Sequence, residues 1–323
     1  MYESKLSLLE TEIAIKKVKD FFEKNLADKL DLIRVSAPLF IKPETGLNDN
    51  LNGYEEAVSF TVKSINTKVE IVQSLAKWKR YALNKYGVSL NKGIYTDMNA
   101  IRKDEELDSL HSIYVDQWDW EKVISNDERN EEYLFKVVKL IYQSLKETES
   151  YINSEYGCFN KKLPDDIYII STKELEELYK DKTSKEREYL ISKKYHAVFI
   201  YQIGWPLSNG ISHDGRAADY DDWLLNGDIL VYDKIIDRAV ELSSMGIRVN
   251  SGSIVKQLKH KGEEYKLNNP YVKAILNNEL PLTIGGGIGQ SRLCLFFLEK
   301  KHIGEVQSSI WQQDEELKKL NIL

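Results

Sequence analysis

Apolar residues at Leu8, Ile15, Val18 and Phe22 return on one side of a 3.6-residue period, and the pattern stops at Asp28-Lys-Leu-Asp31. The stretch 32–38 is β-rich, so the chain opens with a long helix leading into a strand that ends at Pro38. Phe135, Val138, Tyr142, Leu145 and Ile152 mark a second long amphipathic helix, with Asn126 or Asp127 available as its N-cap. Shorter helices are expected over 75–86, 172–179, 184–193, 253–260 and 290–298. Strand patterns fall at 57–63, 69–73, 94–101, 112–120, 167–170, 197–203, 228–232, 246–249 and 282–286. Several of these follow one another with no helix between, so regular βαβα alternation is missing. The expected fold is α+β, an antiparallel or mixed sheet flanked by helices, in a single domain spanning 1–323.

Composition narrows the function classes. With 323 residues, 42% hydrophobic and 11% aromatic, the chain can bury a large core. No apolar run approaches the roughly 20 residues that cross a bilayer, and Met1-Tyr-Glu-Ser-Lys lacks a signal-peptide layout. A cytoplasmic protein with no membrane partner is therefore expected. A net charge of -6 opposes a nucleic-acid partner, since such proteins display basic faces that release counterions from phosphate. Cys158 and Cys294 are far apart with no CxxC spacing, so both are expected reduced and packed.

Two segments carry candidate chemistry. Thr283-Ile-Gly-Gly-Gly-Ile-Gly-Gln-Ser-Arg292 reads as a strand, a glycine turn and a helix with an arginine in its first turn. Gly287 and Gly289 would let backbone approach a nucleotide, and Arg292 would supply a permanent planar cation for phosphate or adenine. The spacing fits neither a dinucleotide fingerprint nor a phosphate loop, and taken alone the glycines equally serve a structural turn. Upstream, the charged stretch 102–106 lies between two strands as a hairpin loop. In the second strand Val115, Gln117, Asp119 and Glu121 share one face, while Tyr114, Asp116, Trp118 and Trp120 take the other or are partly solvated. Gln117 and Asp119 then point together, either as an amino-acid pocket or as an exposed polar face.

Arg102-x-x-Glu105 and the glycine-rich block ending at Arg292 resemble the second and third motifs of class II aminoacyl-tRNA synthetases, and the helix and strand closing at Pro38 resemble the first, dimer-forming motif. More closely, Gln73-Ser-Leu-Ala-Lys-Trp-Lys79-Arg80, His111-Ser-Ile-Tyr-Val-Asp-Gln-Trp-Asp-Trp-Glu121, Tyr220-Asp-Asp-Trp223, Asn226-Gly-Asp228 and Glu241-Leu-Ser-Ser-Met-Gly-Ile-Arg248 resemble the ammonia-dependent asparagine synthetases, the type A aspartate-ammonia ligases, over essentially the whole chain. Two departures stand out: only Leu224-Leu225 separates the Tyr-Asp-Asp-Trp block from Asn-Gly-Asp, which points to an abbreviated loop over the site, and Gln73 stands where that family has histidine, as in aspartyl-tRNA synthetases.

The resemblance implies ATP-dependent synthesis of asparagine from aspartate and ammonia through a β-aspartyl-adenylate, by a class II synthetase-like homodimer. Arg102 is then expected at the α-phosphate, Arg292 at the terminal phosphates and adenine, and Glu105 at the nucleotide or a magnesium ion. Asp228 and Glu241 are the expected Mg2+ ligands, hard oxygen donors that share the ion with phosphates; singly, each also reads as a turn or surface residue. Lys79 would pair with the α-carboxylate and Ser74 add a hydroxyl. Asp49, Asp119 and Asp221 would meet the α-ammonium, and Asp49 or Asp221 would accept the proton of ammonium. Asp49 lies in the glycine-bounded loop 45–53, suited to closing over substrate, with a plain turn aspartate as its alternative. Gln117, Ser243, Ser244 and Arg248 complete the set, and His111 has no assigned role. The rivals are a transfer-RNA aspartylating paralogue, for which no anticodon-binding segment precedes the first motif, and a binding-only core, which would have lost Arg102 and Arg292. Tyr2 is not the cysteine that a glutamine-dependent enzyme needs.

Overall fold

Ser7 closes a reciprocal cap with Glu10 and starts α1 (Leu8–Leu30), which Asp31 ends in the left-handed region. Ile15, Val18, Phe22 and Leu26 are buried along one side, while Leu8, first in the expected stripe, stays exposed. The computed structural model describes residues 2–49, 51, 55–312 and 315–323. After α1 come β1 (Leu32–Arg34), which ends short of Pro38, and β2 (Phe40–Ile41), β3 (Ser59–Val62) and β4 (Thr67–Ile71), which form a small sheet in the order β2-β4-β3. Then follow α2 (Ala76–Tyr86), β5 (Gly93–Ile101), β6 (Tyr114–Val123), α3 (Glu131–Tyr156), β7 (Tyr168–Ser171), α4 (Thr172–Leu178), α5 (Ser184–Tyr195) and β8 (Ala197–Tyr201). The chain continues through β9 (Asp221–Asp233), β10 (Arg238–Arg248), α6 (Ser251–Lys261), α7 (Pro270–Leu276), β11 (Thr283–Gly289) and α8 (Gln290–Phe297).

The main sheet has the order β1-β5-β6-β11-β10-β9-β8-β7. Its interior pairs, from β5 across to β8, are antiparallel, and only the outer pairs β1–β5 and β7–β8 are parallel. The mixed sheet flanked by helices is thus the α+β arrangement that the missing βαβα alternation predicts. On one face Trp118, Trp120, Ile229, Met245, Ile247 and Ile288 join one apolar cluster with residues of α1, α3 and α8. The other face is covered at its two ends, by α2 against β5 and β6 and by α5 against β8, β9 and β10. The uncovered middle of that face is the cleft.

Several local expectations are corrected. Asn130, not Asn126 or Asp127, caps α3 by accepting from the Tyr133 amide; Asn126 instead accepts from the Arg129 amide in the preceding turn. Trp118 and Trp120 are fully buried rather than partly solvated. Leu224 and Leu225 form no separate loop: they lie within β9 at an irregularity where residues 222–225 stand opposite Ile247 alone, with Leu224 exposed and Leu225 buried. The glycines 285–287 and Gly289 lie in β11 itself, and α8 begins at Gln290 with no turn between. Cys294 is buried, but Cys158 is exposed.

Candidate active site

Register decides which side chains meet in the cleft. Cross-strand rows pair Asp119 with Gly287, Gly287 with Ser244, and Ser244 with Asp228, so these four stand on the open face. The neighbouring row, Trp118–Ile288–Ser243–Ile229, faces the core. Ser243 is therefore 2% exposed on the far side of the sheet, and the structure does not bring it to the pocket. A bulge between Glu241 and Ser243 returns Glu241 to the cleft side. Every other residue singled out from the sequence lines a cleft of about 950 Å3, except Asp228, whose carboxylate is reached through Arg216 on the cleft wall.

Glycines line the floor of the cleft, and a side chain is crowded out at some of them, though at Gly289 a Cβ would meet only an ordinary 3.4 Å contact. A Cβ at Gly287 would stand 2.5 Å from the Gln117 Oε1, and one at Gly285 would strike the Glu121 carboxylate. These are close-approach glycines in an ordinary extended strand, not a turn.

One half of the cleft is a network of buried charges. Lys79 Nζ pairs with Asp119 and donates to the Gly286 carbonyl at 2.8 Å. Burial pulls the Lys79 ammonium below its ordinary value, against the pull of Asp119. Arg248 donates from Nε and Nη2 to Glu121 at 2.9 and 2.7 Å and pairs through Nη1 with Asp221. Glu121 also accepts from Thr283 Oγ1 at 2.6 Å. Burial raises the Glu121 carboxyl, but Arg248 outweighs it and holds the group below its ordinary range; at Asp221 burial prevails and the carboxyl is raised. Asp119 Oδ2 has no hydrogen-bond partner among the described residues and remains free for a cation.

Asn48 positions Asp49. Its side chain accepts from the Gln73 amide at 3.0 Å and donates to the Ile71 carbonyl at 3.2 Å, tying this loop to the junction of β4 and α2. Asn50, Asn52 and Gly53 of the expected closing loop lie outside the described residues. Asp49 is 2% exposed, with Oδ2 unpartnered among the described residues. Burial pushes its carboxyl up to about 6, opposed by Lys77, reinforced by Asp219 and opposed again by Arg102. Lys77 and Asp219 form their own buried pair at 2.6 Å beside it.

The other half is arginine-rich. Arg102, in the hairpin loop, makes only a long 3.4 Å contact to the Gln73 carbonyl and keeps a buried Nε without a partner among the described residues. Arg292 donates to the Glu241 carbonyl at 3.1 Å from the first turn of α8. Asp116 anchors that turn by accepting from the Ser291 amide and hydroxyl at 3.1 and 2.8 Å, and it holds Lys19 of α1 at 3.0 Å. Arg216, not singled out from the sequence, pairs with Asp228 and reaches Asp214 at 3.4 Å. Burial pushes Asp228 up to about 7, Arg216 opposes this, and Glu241 and Asp214 add to it. Arg216 and Asp219 are not singled out by the sequence, and Lys77 and Tyr220 stand in recognised blocks without a role; the signal for Arg216 is its place in Asp214-Gly-Arg216, four residues before Tyr220.

Asp228 and Glu241 have the donor chemistry that suits a divalent cation. Asp228 Oδ1 is buried without a partner among the described residues, and Glu241 opens to the cleft beside it. Mutually repelling carboxylates with an unsatisfied oxygen are suitable hard donors, and Mg2+ commonly takes only one or two of them alongside phosphates.

A large antiparallel sheet with its cleft on the open face is the class II synthetase fold. Asparaginyl-tRNA synthetase from Pyrococcus horikoshii complexed with asparaginyl-adenylate matches with a TM-score of 0.66 at 16% identity, over 92% of this chain and 68% of that one. Entamoeba histolytica asparaginyl-tRNA synthetase, also in complex with asparaginyl-adenylate, matches at 0.68 and 12% identity, over 93% of this chain and 66% of that one. At such identities the likeness establishes the fold alone. The sequence is more particular: the profile of the aspartate-ammonia ligase family matches residues 9–321. The aspartate–ammonia ligase of Fusobacterium nucleatum is 60% identical over 97% of this chain and 95% of its own, and that of Bacillus cytotoxicus is 54% identical over 100% and 99%. The chain belongs to the aspartate-ammonia ligase family and is an enzyme.

Proposed function

We propose that the enzyme adenylates the side-chain carboxylate of aspartate with ATP and lets ammonia displace AMP, giving asparagine, AMP and pyrophosphate. The observation that carries this is the meeting, in one cleft, of three arginines with a pocket of paired acids and bases. A carboxylate is a poor acyl donor, so two anions must be brought together, and cations must screen them and meet the charge that develops at phosphorus. Arg102, with unspent donors, takes the α-phosphate, and Arg292 the terminal phosphates and adenine. Lys79 and Ser74 hold the α-carboxylate, while Asp119 holds the α-ammonium through its free oxygen. Asp49 and Asp221 stand as acceptors for the proton of ammonium, and Gln117 lines the floor between the halves. Asp228 and Glu241 would hold Mg2+, which when bound neutralises the phosphates. Family membership favours this chemistry over a transfer-RNA aspartylating core, and the two synthetases of like fold hold an aminoacyl-adenylate, the same class of acyl-phosphate anhydride on a different carboxylate. With ATP, Mg2+, aspartate and ammonium, AMP and pyrophosphate are expected in step with asparagine; ADP and phosphate instead would overturn the adenylate.

We further propose a homodimer through α1 and the strand edge beside it, the segment that resembles the dimer-forming motif, but not through the buried side of α1. Ile15, Val18 and Phe22 are spent in the chain's own core. What α1 and the edge of the sheet leave exposed is Leu9, Ile13, Ile33, Leu39 and Phe40, with β1 as an edge strand. Light scattering at micromolar protein should give twice the chain's 37.4 kDa, and a monomeric mass would refute it. No helix among the described residues is long and apolar enough to cross a membrane.

A further inference from the structure

Arg216, partly exposed on the cleft wall, is placed unlike the buried arginines Arg80 and Arg248. Arg80 spends its guanidinium on the Pro281 and Val249 carbonyls, and Arg248 commits three nitrogens to Glu121 and Asp221; both are frame. Arg216 lies on the long connection between β8 and β9, on the wall of the open cleft. Its contacts are carboxylates, Asp228 and Asp214, together with the carbonyl of adjacent Gly215 at 2.9 Å, and its buried Nε has no partner among the described residues. The carboxylate it grips is the one that the proposed function assigns to the metal. Glu241 adds a third negative charge to the cluster.

With Arg216 on Oδ2, a divalent ion at the free Oδ1 of Asp228 would stand beside a fixed guanidinium on the same carboxylate. The ion needs direct oxygen contact at short range, and two cations forced together in a water-poor pocket repel strongly. Without a cation, however, Asp214, Asp228 and Glu241 would repel one another. A guanidinium fork can exchange a carboxylate for a phosphate with little change in geometry, because both offer paired oxygen acceptors.

We propose that Arg216 is a built-in counter-cation that holds Asp228 until a metal–nucleotide complex enters, then exchanges that carboxylate for a phosphate, so that the divalent ion is taken up with the nucleotide and not ahead of it. The proposal rests on the assignment of the metal to Asp228 and Glu241. It makes Arg216 a positioning residue for metal loading, a role that binding without turnover can read.

Mn2+, which accepts the same oxygen donors, can be titrated into the protein without nucleotide while free ion is followed by its electron paramagnetic resonance signal. Wild type should bind weakly. Arg216→Gln should bind Mn2+ at least about tenfold more tightly, as expected when a charge-assisted competitor worth that factor is removed, and adding Asp228→Asn should abolish the gain. Arg216→Lys keeps the charge on a head without the fork and should give a smaller gain in the same direction, so it carries the test if the Gln variant does not fold. Unchanged Mn2+ affinity in folded Arg216 variants would overturn the exchange, while a loss of Mn2+–ATP binding on Asp228→Asn alone would leave the metal site standing. If Asp228→Asn leaves Mn2+–ATP binding untouched, the metal assignment falls and the inference with it.

Discussion

Arg102→Lys should lower aspartate-dependent ATP–pyrophosphate exchange by roughly a hundred- to a thousandfold while leaving ATP binding close to wild type. That is the usual effect, about 2.7 to 4 kcal/mol, of removing a donor aimed at charge that appears only in the transition state. The structure strengthens the case, because among the described residues Arg102 makes one long contact to the Gln73 carbonyl and keeps an unpartnered Nε, which leaves its fork for a ligand. Lysine keeps the positive charge but cannot bridge two oxygens. Arg292→Lys is the informative contrast. Arg292 is already oriented by the Glu241 carbonyl and the Asp116 anchor, so its contacts with ATP exist before reaction, and its loss should mainly raise the apparent KM for ATP. Equal losses of exchange and of ATP binding in Arg102→Lys would move that residue from the transition state to the ground state. A wild type that binds both substrates yet shows no exchange would leave a binding core in place of an enzyme acting by adenylation.

The elements were largely legible because local patterns and tertiary demands agree. In α5 and α8 the start of the apolar or charged period coincides with a capping residue or the end of a strand. Where several residues are chemically competent, sequence does not choose. Asn126, Asp127 and Asn130 can all cap a helix, and the choice falls to how the start of α3 meets the core, where Leu134 is wholly buried. The glycines before α8 look like a turn in one dimension, since turns are where glycine is commonest. Only the crowding by Gln117 and Glu121 from the adjacent strand reveals a flat floor. The signal for α7 was present as Asn269 followed by Pro270 at its first turn, a start signature that was passed over.

The site was legible in its residues and illegible in its pairings. Ordered blocks named Lys79, Asp119, Asp221 and Arg248, but nothing local says that Lys79 is already held by Asp119 or that Arg248 is shared by Glu121 and Asp221. Those partners come from different strands, and their pairing exists only once β6, β9, β10 and β11 are in register. Glu121 closed a recognised block without receiving a role, although it is the most deeply buried carboxylate of the network. Ser243 and Ser244 show the same limit at its smallest. They are adjacent and chemically alike, and only the register of β10 against β9 and β11 decides which of them faces the cleft.

The pairing of Arg248 sets the second large effect. Arg248→Met keeps a long apolar side chain but strands Glu121 at 0% exposure and Asp221 at 3%, each having lost its guanidinium. Breaking a buried pair by removing one partner typically costs about 3 to 5 kcal/mol, because the remaining charge is left in a water-poor site. Urea denaturation at neutral pH should show a loss of that size through a lower midpoint at unchanged slope. The double variant Arg248→Met with Glu121→Gln should be more stable than the sum of the single effects, since the stranded charge is removed as well. The pH dependence has a definite sign. In the wild type Glu121 is held below its ordinary value of 4.5, so its contribution is present above that value and is lost as pH falls through the depressed one. In the variant, burial is opposed only by Lys79 and the Thr283 hydroxyl, so Glu121 protonates more readily, which relieves the cost at low pH. The gap between the two proteins should therefore narrow on acidification. A loss under about 1 kcal/mol, the range of exposed ion pairs, would mean that water reaches this network and that its charges are not the rigid frame of the aspartate pocket.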